Sequence, residues 1–368
     1  MRARELGIRI GELAPGPEDA ITDVSGVRVG HSTIVRGEGR LVVGEGPVRT
    51  GVTVVCPREG LARDEPVFAG TSTLNGNGEM TGLEWIREAG TLSSPVAITT
   101  THSVGVVHDA LVKAEMEASA GEEDHWTLPV AAETYDGTLN DVNGQHVTPD
   151  HVFEALASAS AGPVEEGSVG GGTGMICHEF KGGIGTASRR VAEGGWTVGA
   201  LVQANYGKRR MLRVDGAPVG RILTTERVPS PYEQEETLRA GTGSIIVVLA
   251  TDAPLLPIQC DRLAKRAAIG LARMGGGLDE GSGDIFLAFA TGNRGLPRDG
   301  LPEPPATVPV QMVTNDYMTP LFYAAAEATE AAILNALLAA GDMTGRDGIT
   351  AYGLTPEMLL GALEEARR

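Results

Sequence analysis

The chain reads as an α/β protein in which mixed β-sheets lie between outer helices. Three observations lead there. Short runs that are apolar at nearly every position recur along the chain, as expected of strands covered on both faces. Segments with apolar residues at helical spacing alternate with them. The 51 glycines cluster without a fixed period, which points to tight turns and close backbone approaches.

In chain order, the strand-like runs are residues 52–56, 96–100, 128–132, 196–204, 244–250 and 284–291. Helical spacing covers 79–89, after the Asn75-Gly76-Asn77-Gly78 turn and before Gly90, and then 104–119. A third helix, 149–161, has Thr148 as N-cap and Pro149 at its first position. A fourth, 254–274, takes Asp252 as its cap and stops at Gly275-Gly276-Gly277. The fifth and most apolar, 318–340, is alanine-rich and carries Glu327 and Glu330, so it reads as a buried helix and not as a membrane span. Residues 224–238, rich in Glu and carrying Pro229-Ser230-Pro231, show neither period and read as an exposed loop.

Composition narrows the function. The 368 residues, 42% hydrophobic and 21% charged, are those of an ordinary folded protein with room for a large core. A net charge of -18 repels phosphate backbones and anionic lipid heads, which argues against nucleic acid or a membrane as partner. Three scattered cysteines, Cys56, Cys177 and Cys260, give neither a disulfide framework nor a CxxC site. With an N-terminus, Met1-Arg2-Ala3-Arg4-Glu5-Leu6-Gly7, that lacks an apolar stretch, this leads to the expectation of a cytoplasmic protein.

Several chemistries can be weighed on the residues. Gly170-Gly171-Gly172-Thr173-Gly174 and the run from Gly182 to Ser188 match neither GxxxxGK[ST] nor a strand–GxGxxG–helix unit, so both read as turn or packing glycines and no nucleotide cofactor is expected. His102, His108 and Cys177-His178-Glu179 lack metal-ligand spacing, and no metal is expected. Gly281-Ser282-Gly283 and Thr242-Gly243-Ser244 both precede strands, whereas a hydrolase elbow places its serine between strand and helix.

The last of these segments has two readings. The first is a tight turn entering a core strand. The second is self-cleavage at Gly243–Ser244. No histidine lies beyond His178 to serve as an obvious base for a serine. A freed α-amine, with an ordinary pKa of about 7.7–8, would provide one on the nucleophile's own residue. Gly243 leaves its carbonyl open to attack, and the strand that follows would hold the new terminus rigid.

Further segments carry a resemblance. They include Ala20-Ile21-Thr22-Asp23-Val24-Ser25-Gly26-Val27-Arg28-Val29-Gly30-His31, Asn75-Gly76-Asn77-Gly78-Glu79 and Thr101-His102-Ser103-Val104-Gly105. Others are Glu133-Thr134-Tyr135-Asp136-Gly137, Phe180-Lys181-Gly182-Gly183-Ile184-Gly185, Gln203-Ala204-Asn205-Tyr206-Gly207 and the run from Gly243-Ser244 to Leu255. In this order they resemble the self-processing L-aminopeptidase/D-esterase, or β-aminopeptidase, family of N-terminal-nucleophile hydrolases. The likeness runs from about residue 20 to the C-terminal helix.

The resemblance implies a four-layer αββα sandwich and one self-processing domain over 1–368, cut into fragments 1–243 and 244–368. It implies an aminopeptidase that releases unblocked N-terminal residues from small peptides, amides or esters, working as a homo-oligomer. Ser244 would be the nucleophile and its own α-amine the base. Asn205 would donate to the oxyanion. Ser282 would hold the amine, and Asp284 would anchor that network where some relatives have glutamate. Glu133 and Tyr135 would face the substrate, Glu133 pairing with its ammonium group. Two other functions remain on the same fold: an acyltransferase, which usually presents threonine as nucleophile, and a non-catalytic binding or assembly protein.

Overall fold

The structure, a computed structural model, describes residues 1–119, 126–234, 243–298, 301 and 303–368. In chain order the elements are β1 (Arg28–Arg36), β2 (Val48–Cys56), β3 (Val67–Gly76), α1 (Leu83–Ala89), β4 (Thr91–Leu92), β5 (Val96–Thr100), α2 (Val104–Ala118) and β6 (Val130–Thr134). Next come α3 (Pro149–Ser158), β7 (Ile176–Cys177), β8 (Phe180–Lys181), β9 (Gly183–Val191), β10 (Trp196–Asn205), α4 (Val219–Ile222) and β11 (Ser244–Thr251). The chain continues with α5 (Pro257–Ala264), α6 (Ala267–Arg273), β12 (Gly283–Ala290), α7 (Met318–Ala339), β13 (Met343–Thr344), β14 (Thr350–Ala351) and α8 (Pro356–Ala366).

Two mixed sheets form the centre. One has the order β1-β2-β5-β6, antiparallel except for β5 with β6. The other has the order β4-β3-β12-β11-β10-β9, antiparallel except for β11 with β12. The side-chain period of two on β11 sets the layers. Ile246, Val248 and Ala250 meet Val55, Val96, Ile98 and Val130 of the smaller sheet. Ile245, Val247 and Leu249 point the other way, into a cluster with Leu263 of α5, Leu271 of α6 and Leu334 of α7. The outer face of the smaller sheet is covered by Val107 and Leu111 of α2 and Val152 of α3. This is the αββα sandwich, and it explains why these strands read as unbroken apolar runs.

Glycines on the strands set the approach of helix to sheet, as where α7 crosses β9. A side chain at Gly185 of β9 would start 2.0 Å from the Ala332 carbonyl of α7, so only glycine lets α7 lie down on the strand. The run from Gly182 to Ser188 is therefore largely strand, not turn. The helix α7 spans its length as a buried core element, with Glu327 accepting the Glu12 and Leu13 amides.

Four expectations are corrected. The helix expected over 254–274 is two helices, α5 and α6, separated at Lys265-Arg266. Asp252 does not cap it; its carboxylate accepts the Thr197 amide at 2.7 Å. The helix expected over 79–89 starts only at Leu83, because Gly82 before it is left-handed at φ 75°. The stretch 224–238 is not simply exposed: Val228, Ser230 and Pro231 are buried, and the Val228 carbonyl accepts from Arg209. Its residues 235–238, like Gly241 and Thr242, lie outside the described residues.

Candidate active site

Ser244 is the first residue of β11, and Asn205 is the last of β10. The antiparallel register pairs them directly. Such opposed residues have Cα atoms about 4.5–5.5 Å apart, close enough for one side chain to serve the other. On the opposite side, β12 runs parallel, with Ile245 beside Asp284. The larger sheet thus presents Asn205, Ser244 and the Ser282–Asp284 segment side by side at one end.

Each group is held. The Ser244 hydroxyl is buried and its Oγ accepts the Gly283 amide at 3.1 Å, a donor that favours charge on that oxygen. The Asn205 side chain is fixed at both ends: Oδ1 accepts the Ile176 amide at 2.8 Å, and Nδ2 donates to the Tyr135 carbonyl at 2.8 Å. Its second Nδ2 hydrogen has no acceptor among the described residues. Immediately below, Gln203 Nε2 ties the two sheets by donating to the Thr99 carbonyl and to Thr134 Oγ1, both at 2.9 Å.

The Ser282 hydroxyl donates to Asp284 Oδ1 at 2.6 Å, so aspartate reaches as far as this network needs. Because that proton is committed, the Ser282 oxygen offers only lone pairs, the correct polarity to receive an amine hydrogen. Asp284 Oδ2 accepts from Asn75 Nδ2 at 2.6 Å. Burial pushes the Asp284 carboxyl above the usual range; hydrogen bonds from Ser282, Asn75 and the Ile245 amide pull against it.

Glu133 lies on the β12–β3 side of Ser244. An added Cβ at Gly78 would be 3.1 Å from Glu133 Oε1 and 3.2 Å from the Gly283 Cα, which places that carboxylate next to the donor on Ser244. Oε1 accepts the Glu79 amide at 3.0 Å and Oε2 accepts the Thr101 hydroxyl. Burial raises the Glu133 pKa, and those two bonds oppose the rise. A cavity of about 440 Å³ opens alongside, bounded by Gly78, Met80, Trp85, Leu128 and Ile285. Tyr135 contributes its carbonyl, which holds Asn205, while its side chain lies against Gly137 and the residue is 42% exposed.

Four contributors escaped the sequence reading as site residues: Asn75, Thr101 and the amides of Gly283 and Ile176. Asn75 and Thr101 stand in segments that carry the resemblance, but nothing local assigns them a partner. A further support is hidden in the β7–β8 hairpin. His178 and Glu179 form its two-residue turn, both left-handed, at φ 50° and 64°. Such turns prefer Asn-Gly because φ is positive at both positions. Here Arg209 compensates: its guanidinium donates to the carbonyls of His178, Glu179, Leu223 and Val228, and lies 3.5 Å from the Phe180 ring centre. The His178 amide in turn donates to the Tyr206 carbonyl at 2.6 Å, next to Asn205. Burial pushes the Cys177 thiol up to about 12 and the His178 imidazole down to about 4, so the thiol stays protonated and is a poor nucleophile.

Comparison with known proteins identifies the family and the fold. Residues 19–351 match the model of peptidase family S58. The beta-peptidyl aminopeptidase BapA of Sphingosinicella microcystinivorans is 49% identical over 375 residues, covering 100% of this chain and 93% of that one. Among solved structures, a Burkholderia sp. beta-aminopeptidase superposes with a TM-score of 0.92 at 59% identity, covering 100% of this chain and 99% of that one. The L-aminopeptidase D-Ala-esterase/amidase of Ochrobactrum anthropi, described as a prototype serine aminopeptidase with a variant Ntn hydrolase fold, gives 0.91 at 44% identity, with 100% and 99% covered. The family match over residues 19–351, the 49% identity to a curated aminopeptidase and the Ntn-type sandwich together show that the chain belongs to peptidase family S58.

Proposed function

We propose that this aminopeptidase cuts itself between Gly243 and Ser244 and then acts through Ser244 as an N-terminal nucleophile. The observation that carries the reading is the register pair Ser244–Asn205 with Ser282–Asp284 on the neighbouring strand. In the uncut chain the Ser244 nitrogen is an amide. Its Oγ attacks the Gly243 carbonyl carbon, the hydroxyl proton passes to the nitrogen, and the C–N bond breaks to leave an ester and a free amine. Water then hydrolyses the ester, giving a Gly243 carboxylate and restoring the Ser244 hydroxyl.

In turnover the amine takes the Oγ proton as Oγ attacks the substrate carbonyl. The free Asn205 N–H stabilises the oxyanion, and Ser282 orients the amine. The amine returns the proton to the departing group, and water releases the acyl residue. Glu133 pairs with the substrate's ammonium, which restricts cleavage to unblocked N-terminal residues. The cavity beside Glu133 takes the side chain of the released residue. The relatives' names bring peptides with N-terminal β-residues into the substrate class. Ser244 argues against the acyltransferase alternative. The three cysteines, all buried free thiols, support a reducing compartment.

The test is hydrolysis of β-alanine p-nitroanilide and its N-acetylated counterpart. The free amine is expected to be cleaved and the blocked one spared, with Ser244→Ala inactive. Turnover by Ser244→Ala would refute the assignment.

A further inference from the structure

The far side of the nucleophile, past β10, has a different character. Lys208 follows Asn205 by three residues, so it stands within about 10 Å along the chain. Its Nζ meets Asp279 Oδ1 at 2.5 Å, and the Asp279 carbonyl accepts the Ser282 amide. Lys208 thus borders the site, and it also forms one wall of a separate cavity of about 560 Å³. Lys208, Arg209, Arg210 and Arg221 line that cavity against two carboxylates, Glu179 and Glu233.

A cationic hollow on a chain of net charge -18 needs an explanation. The charges divide clearly. Arg209 is spent on backbone carbonyls, and Glu179 accepts the Arg209 amide at 2.8 Å. Lys208 is held by Asp279. Arg210 and Arg221 are exposed and have no ion pair among the described residues. Thr224 and Thr225 add hydroxyl donors beside them. Among the described residues that line the hollow, Glu233 is the one opposing charge whose carboxylate has neither an ion pair nor a hydrogen bond.

Strand order gives the hollow its meaning. Glu133 and the neighbouring cavity at Gly78 lie on the β12–β3 side of Ser244, and the cationic hollow begins at Lys208, three residues after the end of β10. A peptide whose ammonium sits at Glu133 and whose scissile carbonyl sits at Ser244 sends its leaving residue toward β10. We infer that Arg210 and Arg221 form a subsite for the free C-terminal carboxylate of short peptide substrates. A guanidinium suits a carboxylate, offering two parallel N–H donors. The inference rests on Ser244 as nucleophile and assigns the enzyme short peptides with both ends free, in preference to their amides.

The experiment compares kcat/KM for β-alanyl-alanine and β-alanyl-alaninamide. The unmodified enzyme is expected to favour the acid by about tenfold or more, in line with a charge-assisted pair. That preference should shrink as salt rises from about 0.05 to 0.5 M. Arg210→Gln and Arg221→Gln should each lower the acid-to-amide ratio several-fold, and Arg221→Lys should recover part of it. A ratio near one in the unmodified enzyme, as when the freed Gly243 carboxylate itself fills the hollow, overturns the inference. So does a ratio that neither glutamine variant changes. Failure of the nucleophile assignment is separate, because it shows as anilide turnover by Ser244→Ala.

Discussion

At the scale of single residues, the proposed catalysis depends on protons and donors already committed elsewhere. Asn205 is anchored through Ile176 and Tyr135, so the remaining N–H is fixed before any oxyanion forms. Asn205→Ala should therefore lower kcat by about 10²–10³, equivalent to about 3–4 kcal/mol, with little change in KM. Steady-state kinetics on an anilide reads that split. Below the titration of the Ser244 α-amine, which must be neutral to act as base and has an ordinary pKa of about 7.7–8, Glu133 and Asp284 act at acid pH. Each must be ionised to work, and burial raises the pKa of each. The acid limb of kcat/KM should accordingly fall first with the amine and then more steeply as these carboxylates protonate above their ordinary range, and Glu133→Gln should make that lower part shallower while raising KM for amine-bearing substrates. Stability has the opposite sign. The raised carboxylates favour the fold fully below the ordinary carboxylate pKa, and that contribution is lost as pH rises through the raised values.

At the scale of elements, the junction between Gly243 and β11 decides whether the nucleophile is delivered. An added Cβ at Gly243 would lie 1.8 Å from the Asn205 carbonyl oxygen and 2.7 Å from its carbon, and backbone atoms do not yield cheaply. Gly243→Ala should displace the Ser244–Asn205 pair and leave an uncut, inactive chain although Ser244 is intact; a denaturing gel decides it. The start of β11 was legible because eight consecutive buried residues announce a strand covered on both faces. The α5–α6 break was not, because the apolar spacing continues through Lys265-Arg266. Nor were β3 and β9 seen as strands. Their glycines, serines and threonines hide the period, and their burial comes from elements distant in sequence.

At the scale of the whole molecule, four layers bring one sheet end together from distant parts of the chain. Asn75 and Asp284 are 209 residues apart, and Ile176 and Asn205 are 29 apart. Local spacing does not encode such pairs. They follow from the order β3-β12-β11-β10 and its register, and so Ser244, Asn205, Ser282, Asp284 and Glu133 were legible as candidates through ordered motifs, whereas their holders were not. The same order keeps both products of a cut in one body. Residues 1–243 supply β9 and β10, and residues 244–368 supply β11 and β12 between them and β3, so scission severs one peptide bond without separating a layer.

That arrangement makes intact-mass analysis of the purified, active protein under denaturing conditions the most direct measurement. Two polypeptides corresponding to 1–243 and 244–368 are expected, with Ser244→Ala yielding one chain of 368 residues. A single unbroken polypeptide that still releases N-terminal residues at full rate would contradict the terminal-amine mechanism.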